Sequence, residues 1–246
     1  MKLKWLFIDI GGPILDDGPL FDYLAAALRG ILAAQGCQVT GDRFQETMEL
    51  GWRQGASSTL DFIIRHFTST DQDYRRAQEA YWQVFRGLSD GEYRRFQILR
   101  PGVPKSLKIL SQSYQLATLS NNIVRVKELL EELDIARFFK ISGISEEIGI
   151  SKPDPRLFQY VLRQAGCLPE EAMMVGDRMD NDIQPAQKLG LKTAHVLLES
   201  NFGSVSPGLN RVEPDLEVSS LRELAQELQP GAVSAVEQAA VETRRP

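Results

Sequence analysis

Short apolar runs recur along this chain, and each is closed by a polar cluster. Trp5 to Ile8 runs into Asp9-Ile-Gly-Gly-Pro13, Gln115-Leu-Ala-Thr-Leu119 into Ser120-Asn-Asn122, and Ala172-Met-Met-Val175 into Gly176-Asp177. Runs of this kind read as strands buried on both faces, as in the middle of a parallel sheet. Further strands are expected at Phe139 to Ser142, Thr193 to Leu198 and, weakly, Leu216 to Val218. Helical spacing falls between them, at Lys105 to Ser111, Ile123 to Leu133, Arg156 to Ala165, Ile183 to Leu189 and Leu221 to Leu228. Pro155 suits a first helical position and Gly166 the residue just past a helix end. Strands alternating with helices at this pace predict an α/β fold, a parallel sheet covered by helices on both faces.

The stretch from Gly18 to Arg95 has a different texture and no convincing strand. Phe21, Leu24, Leu28, Ile31 and Leu32 share one helical face. Phe44, Met48 and Trp52 mark a second helix over Gly41 to Gln54, and Thr59 to Phe67 and Asp71 to Leu88 read as two more. About four helices in series imply a small bundle, with their aromatic stripes as its core. The expected division is a sheet domain made of 1–17 and 96–229, an inserted helical bundle at 18–95, and an accessory helix or tail at 230–246.

Composition narrows this picture. The 246 residues suit one large domain or a core carrying an insertion. A net charge of −5 gives no basic footprint for nucleic acid or for an anionic membrane. Cys37 and Cys167 are isolated, and only His66 and His195 are available, so no zinc site, disulfide framework or histidine-pair catalysis is indicated. The apolar run after Lys4 is broken by Asp9, too short for a secretory core, and no run approaches the ~20 residues of a membrane span. The expectation is a cytoplasmic protein, monomer or homodimer.

Four polar clusters then follow strands or open a loop beside one: Asp9, Ser120, Lys152, and Asp177 with Asp182. Each has a plain alternative: a turn acid or helix cap, an N-cap, a surface lysine, a first-turn acid. Together they suggest phosphoryl transfer. Asp9 can attack phosphorus, and its aspartyl-phosphate is hydrolysed later. A dianion beside several carboxylates needs a cation, for which Asp9, Asp177 and Asp182 offer Mg²⁺ its preferred oxygens. Ser120 and nearby N–H groups suit phosphate oxygens, and Lys152 supplies a positive charge to phosphate and nucleophile alike.

These residues resemble the haloacid dehalogenase superfamily, mostly aspartate-nucleophile phosphatases with a Rossmann-like core, over roughly Lys2 to Leu228. Asp9-Ile-Gly-Gly-Pro-Ile-Leu-Asp16 stands where the family has Asp-x-Asp-Gly-Thr-Leu, and Thr118-Leu-Ser120-Asn121 resembles its second motif. Ile148-Gly-Ile-Ser-Lys152-Pro-Asp-Pro-Arg-Leu-Phe158 is very close to the third, and Val175-Gly-Asp177-Arg-Met-Asp-Asn-Asp182-Ile resembles the fourth. The resemblance implies catalysis by Asp9 and Lys152 and binding of a small phosphorylated substrate by Ser120, Asn121 and Gly12. It implies Mg²⁺ held by Asp9, the Gly11 carbonyl, Asp177 and Asp182, and a cap in the helical insertion.

The first motif departs from the pattern. Gly11 replaces the acid that protonates the leaving group, and Pro13 replaces a threonine. Loss of such a group costs ~10²–10⁴ in rate. One outcome is a phosphatase in which Asp16, Asp17 or a cap residue supplies the proton. Others are a carbon–halogen hydrolase, against which Asp177 argues, and a phosphonate hydrolase, against which the absence of lysine from Gly18 to Arg100 argues. The last is a protein that only binds phosphorylated metabolites. If the acid alone is missing, Gly11→Asp is expected to raise turnover.

Overall fold

The computed structural model describes residues 2–54, 56, 58–198 and 212–229, apart from the Trp52 side chain. The accessory helix or tail expected at 230–246 lies outside the described residues. The strands are β1 (Trp5–Ile8), β2 (Leu15–Asp16), β3 (Ile98–Leu99), β4 (Gln115–Ser120), β5 (Phe139–Ile144), β6 (Ala172–Gly176), β7 (Lys192–Val196) and β8 (Leu216–Val218). Six of them form one sheet in the order β5-β4-β1-β6-β7-β8, and every neighbouring pair is parallel. The chain leaves β1 towards β4 and β5, then crosses back to β6 and continues to β7 and β8. That reversal opens a crevice at the carboxyl end of β1, where open α/β sheets bind their ligands.

Period-two alternation explains the layers. Leu6, Ile8, Leu116, Met173 and Val175 face one apolar cluster, while Phe7, Ala117, Leu119 and Met174 face the other. Phe7 and Phe158 are both fully buried in the second cluster. Phe158 belongs to α9 (Pro155–Ala165), which begins with the expected Pro155 and ends at Gly166 in the left-handed conformation. On the opposite face lie α6 (Val103–Leu110), α7 (Val126–Glu132) and α11 (Leu221–Glu227), through Leu107, Leu129 and Leu224. Two short helices, α8 (Ser145–Ile148) and α10 (Gln184–Lys188), complete the sheet layer.

Between β2 and β3 run α1 (Gly18–Ala34), α2 (Gly41–Arg53), α3 (Thr59–Phe67), α4 (Asp71–Arg86) and α5 (Asp90–Phe96). Ser58 and Thr70 cap α3 and α4 by accepting the Asp61 and Asp73 N–H groups. Leu28, Leu32, Phe44, Met48, Ile63, Ile64, Phe67 and Ala77 form an apolar cluster of their own. Two features are absent from the sequence reading. Helix α5 is one, held by a Ser89–Glu92 capping box. The other is antiparallel pairing of β2 with β3, Leu15 opposite Leu99 and Asp16 opposite Ile98. This pair ties the exit from the sheet layer to the return.

Truncating Phe158 to alanine removes a fully buried ring from the sheet's second face. The expected loss is about 3–5 kcal/mol of unfolding free energy, read from the urea midpoint at unchanged m-value.

Candidate active site

Parallel register brings three strand ends to one level. Ile8 pairs with Thr118 on one side and Val175 on the other, so Asp9, Ser120 and Asp177 emerge together at the carboxyl edge. The Asp9 N–H donates to the Val175 carbonyl at 2.9 Å, extending the ladder by one step and fixing where the carboxylate leaves the sheet. Ser120 is buried at the end of β4. Three of the four expected clusters thus share one edge of the sheet.

Lys152 reaches this edge from the loop between α8 and α9. Its ammonium is buried, 2.9 Å from Asp9 Oδ2 and 2.6 Å from Asp182 Oδ1. Burial works to lower its pKa, but the charges of Asp182 and Asp9 outweigh that and leave it raised. The Lys152 backbone is fixed at both polar groups by one amide. Its N–H donates to Asn121 Oδ1 at 2.7 Å, and its carbonyl accepts from Asn121 Nδ2 at 2.9 Å. Asn121, expected to bind substrate, thus has its side chain engaged in holding the lysine.

The second acid pair arises from an irregular turn. Residues Met179–Ile183 wind as a π-helical turn ahead of α10, where the sequence suggested a regular helix starting at Ile183. The wide turn sends Asp182 back under the sheet edge, fully buried, its Oδ2 accepting from the Arg178 N–H at 3.0 Å. Oxygens of Asp9, Asp177 and Asp182 lie within 4.8 Å of one another. Burial pushes the Asp182 carboxyl up to about 6 against the pull of Lys152. Burial, with the charges of Asp182 and Asp9, pushes Asp177 well above the carboxylate range. Three carboxylates face one ammonium, an excess of negative charge that a divalent cation would relieve.

Glycine is required where these acids crowd the backbone. Gly12 has φ +88°, and a Cβ there would lie 2.5 Å from Asp177 Cγ; a Cβ on Gly176 would lie 2.3 Å from Asp182 Oδ2. Gly12, expected to bind substrate, donates its N–H to the Leu15 carbonyl at 2.9 Å. What its place needs is the missing side chain. His195 Nε2 lies 3.0 Å from the Asp177 carbonyl oxygen, steadying the residue behind the carboxylate. Arg100 Nε donates to the Gly12 carbonyl, and its guanidinium faces Asp16 at 3.6 Å. Neither His195 nor Arg100 stands out in the sequence, because both act through backbone carbonyls distant along the chain.

Asp16 and Asp17 differ in their surroundings. Asp16 Oδ1 accepts from the Gly18 N–H at 3.1 Å and faces Arg100. Asp17 precedes α1 but makes no side-chain cap bond. Its residue is open to solvent, while the crowd of protein atoms around the cleft, then the charge of Asp9, pushes its carboxyl up to about 6. In the helical segment, Arg53 pairs with Glu49 and Arg65 with Asp71, each at 3.1 Å on the surface.

A family model described as haloacid dehalogenase-like hydrolase matches residues 3–190. The chain is similar to a glyceraldehyde 3-phosphate phosphatase of Methanopyrus kandleri, 34% identical over 134 residues. That match covers 53% of this chain and only 57% of the relative. A glyceraldehyde 3-phosphate phosphatase of Pyrococcus furiosus is 28% identical over 199 residues, 78% of this chain and 80% of that one. The crystal structure of a HAD phosphatase from Thermococcus onnurineus shares the fold, with a TM-score of 0.62. It covers 94% of this chain and 100% of the other at 22% identity.

The raised carboxyls set a pH dependence for the metal-free protein. The folded state holds their protons more tightly than the unfolded chain, whose ordinary value is 3.8. For Asp182 the stability present below about 4 falls as pH rises through about 6. In EDTA, Asp177→Asn is expected to raise the thermal midpoint at pH 8 and to raise it less at pH 4. Equal shifts at both pH values would contradict this.

Proposed function

Because the chain belongs to the haloacid dehalogenase-like hydrolases, we propose that it is a Mg²⁺-dependent phosphatase acting through an aspartyl-phosphate on Asp9. The substrate is a small phosphorylated metabolite, a class to which the named substrate of both relatives belongs. One observation carries the reading: the Asp9 carboxylate sits at the sheet switch point against a buried Lys152 ammonium, beside two further acids. Those acids fit a hard divalent cation, since every donor is oxygen. Asp9 and Asp177 are the proposed direct ligands with the Gly11 carbonyl, and Asp182 adds its charge from beneath. The ion's chemistry there is to neutralise a phosphate dianion among carboxylates.

The protein groups divide the remaining work. Asp9 Oδ1 accepts the Ile10 N–H at 2.8 Å and Oδ2 faces Lys152, which holds the carboxylate in one orientation without exhausting its lone pairs. Attack by that carboxylate on phosphorus needs no proton removal first. Lys152 stays charged and offsets the negative charge shared by the nucleophile and the transferring group. Asp182 and Asn121 hold the lysine in position. Ser120 stands at the end of β4 where its hydroxyl suits a phosphate oxygen.

The helical segment serves as a cap whose helices select the metabolite. Its tie to the sheet layer is visible in Tyr93, which faces Asn122 Oδ1 at 3.4 Å, and in Arg125, which donates to the Leu88 carbonyl at 2.8 Å. No described helix is long and apolar enough to cross a membrane. A cytoplasmic monomer or homodimer is the working form we infer. The second reading, a protein that only binds phosphorylated metabolites, is favoured by Gly11 alone.

Hydrolysis of p-nitrophenyl phosphate and of three-carbon phosphates, with Mg²⁺ and with EDTA, tests this. Turnover should require the metal and fall by about 10⁴-fold or more in Asp9→Asn. Metal binding with no turnover on any substrate would favour the binding reading. Independently, Mg²⁺ should raise the thermal midpoint more at pH 8 than at pH 5, because the ligands must be deprotonated.

A further inference from the structure

The place left by the missing acid is not empty. A Cβ built on Gly11 would lie 2.7 Å from Asp17 Oδ2 and 3.6 Å from Asp17 Cγ. The carboxylate of Asp17 therefore occupies the volume into which a side chain at position 11 would project. The loop geometry brings it there. Gly12 N–H donates to Leu15 O, Ile14 and Leu15 N–H groups both donate to Ile10 O, and Gly11 bridges to Leu15. The chain thus folds back over its own first turn, and the residue opening α1 faces Gly11.

We propose that Asp17 is the general acid and base of this site, replacing from the far side of the loop the carboxyl that Gly11 lacks. The inference rests on the phosphatase reading. Asp16 fits the role less well, since Gly18 N–H and Arg100 both engage its Oδ1 and the arginine favours its charged form. Asp17 makes no side-chain cap bond and its residue is exposed. Asp9 oxygen forms a bond to phosphorus as the bond from phosphorus to the leaving oxygen breaks, and the Asp17 carboxyl gives its proton to that oxygen. Asp17, now a carboxylate, takes a proton from water as the water oxygen attacks the aspartyl-phosphate. The phosphorus bond to Asp9 breaks, inorganic phosphate leaves, and both aspartates return to their starting forms.

The test is the dependence of kcat/KM on leaving-group pKa, over a series from p-nitrophenyl phosphate to alkyl phosphates, with Mg²⁺ present. Asp17→Asn keeps the size of the side chain and a residue suited to precede a helix. It should lose on the order of 10²-fold or more on alkyl phosphates, and at least tenfold less on the nitrophenyl ester, whose leaving group needs no proton. Gly11→Asp alone should not raise activity, because its side chain enters a place the Asp17 carboxylate already fills. Gly11→Asp combined with Asp17→Ala should recover part of the alkyl-phosphate activity lost in Asp17→Ala. Mg²⁺ affinity, measured by calorimetry, should change less than about tenfold in Asp17→Asn, which separates a proton role from a metal role. An equal loss on all leaving groups in an active enzyme would overturn the inference alone. A wild-type protein without turnover would overturn the phosphatase reading and this inference with it.

Discussion

One buried ammonium organises the carboxyl edge of this sheet. Lys152 meets acids from two different elements, Asp9 after β1 and Asp182 in the π-helical turn after β6. Burying such a cluster is a poor way to gain stability, because desolvation of the charges rivals their attraction. Removing the lysine would leave two buried carboxylates uncompensated, so the surrounding structure is committed to holding it. Asn121 does so by gripping both backbone polar groups of Lys152, which makes the second strand end a positioning device for the third cluster. A costly arrangement fixed this firmly fits preorganised charge at a reaction centre.

The middle of the sheet was legible because β1, β4 and β6 are buried along almost their whole length and read as apolar runs. The four clusters were legible because each lies at the end of such a run or in the loop beside one. What stayed hidden depends on contacts rather than on pattern. Strands β2 and β3 are two residues each and pair across more than eighty positions, too short for any period to register. Helix α5 carries a capping-box signature in Ser89 and Glu92, but its seven residues are too few for an apolar period to stand out. The π-helical turn has the composition of an ordinary loop and first helical turn. Arg100 and His195 act on the backbone of Gly12 and Asp177, which no residue spacing reveals.

The helical segment divides along α1. Leu20 and Leu24, near its start, pack in the sheet's first cluster together with Leu88 and Tyr93 from the returning end. Leu28 and Leu32, one and two turns later, pack with α2, α3 and α4 in a separate cluster. The segment is anchored where it leaves and rejoins the sheet layer, and is held together by its own core beyond that. Helix α4 spans both clusters, since its Tyr81, Val84 and Phe85 pack against the first while Ala77 lies in the separate one. The anchored end is also the end that carries Asp17, so the stability of that junction bears directly on the geometry beside Asp9.

This links the degenerate first motif to the fold. A motif comparison asks which residue stands at position 11, whereas the chemistry depends on which group fills the volume beside Asp9. Glycine at 11 removes a side chain, and the back-folded turn from Ile10 to Leu15 lets a residue six positions later enter the same volume. A side chain at 11 would require the Asp17 carboxylate to move from its present placement. On the proposed reading the glycine is a condition for the arrangement, an exchange of position for the acid that the motif lacks.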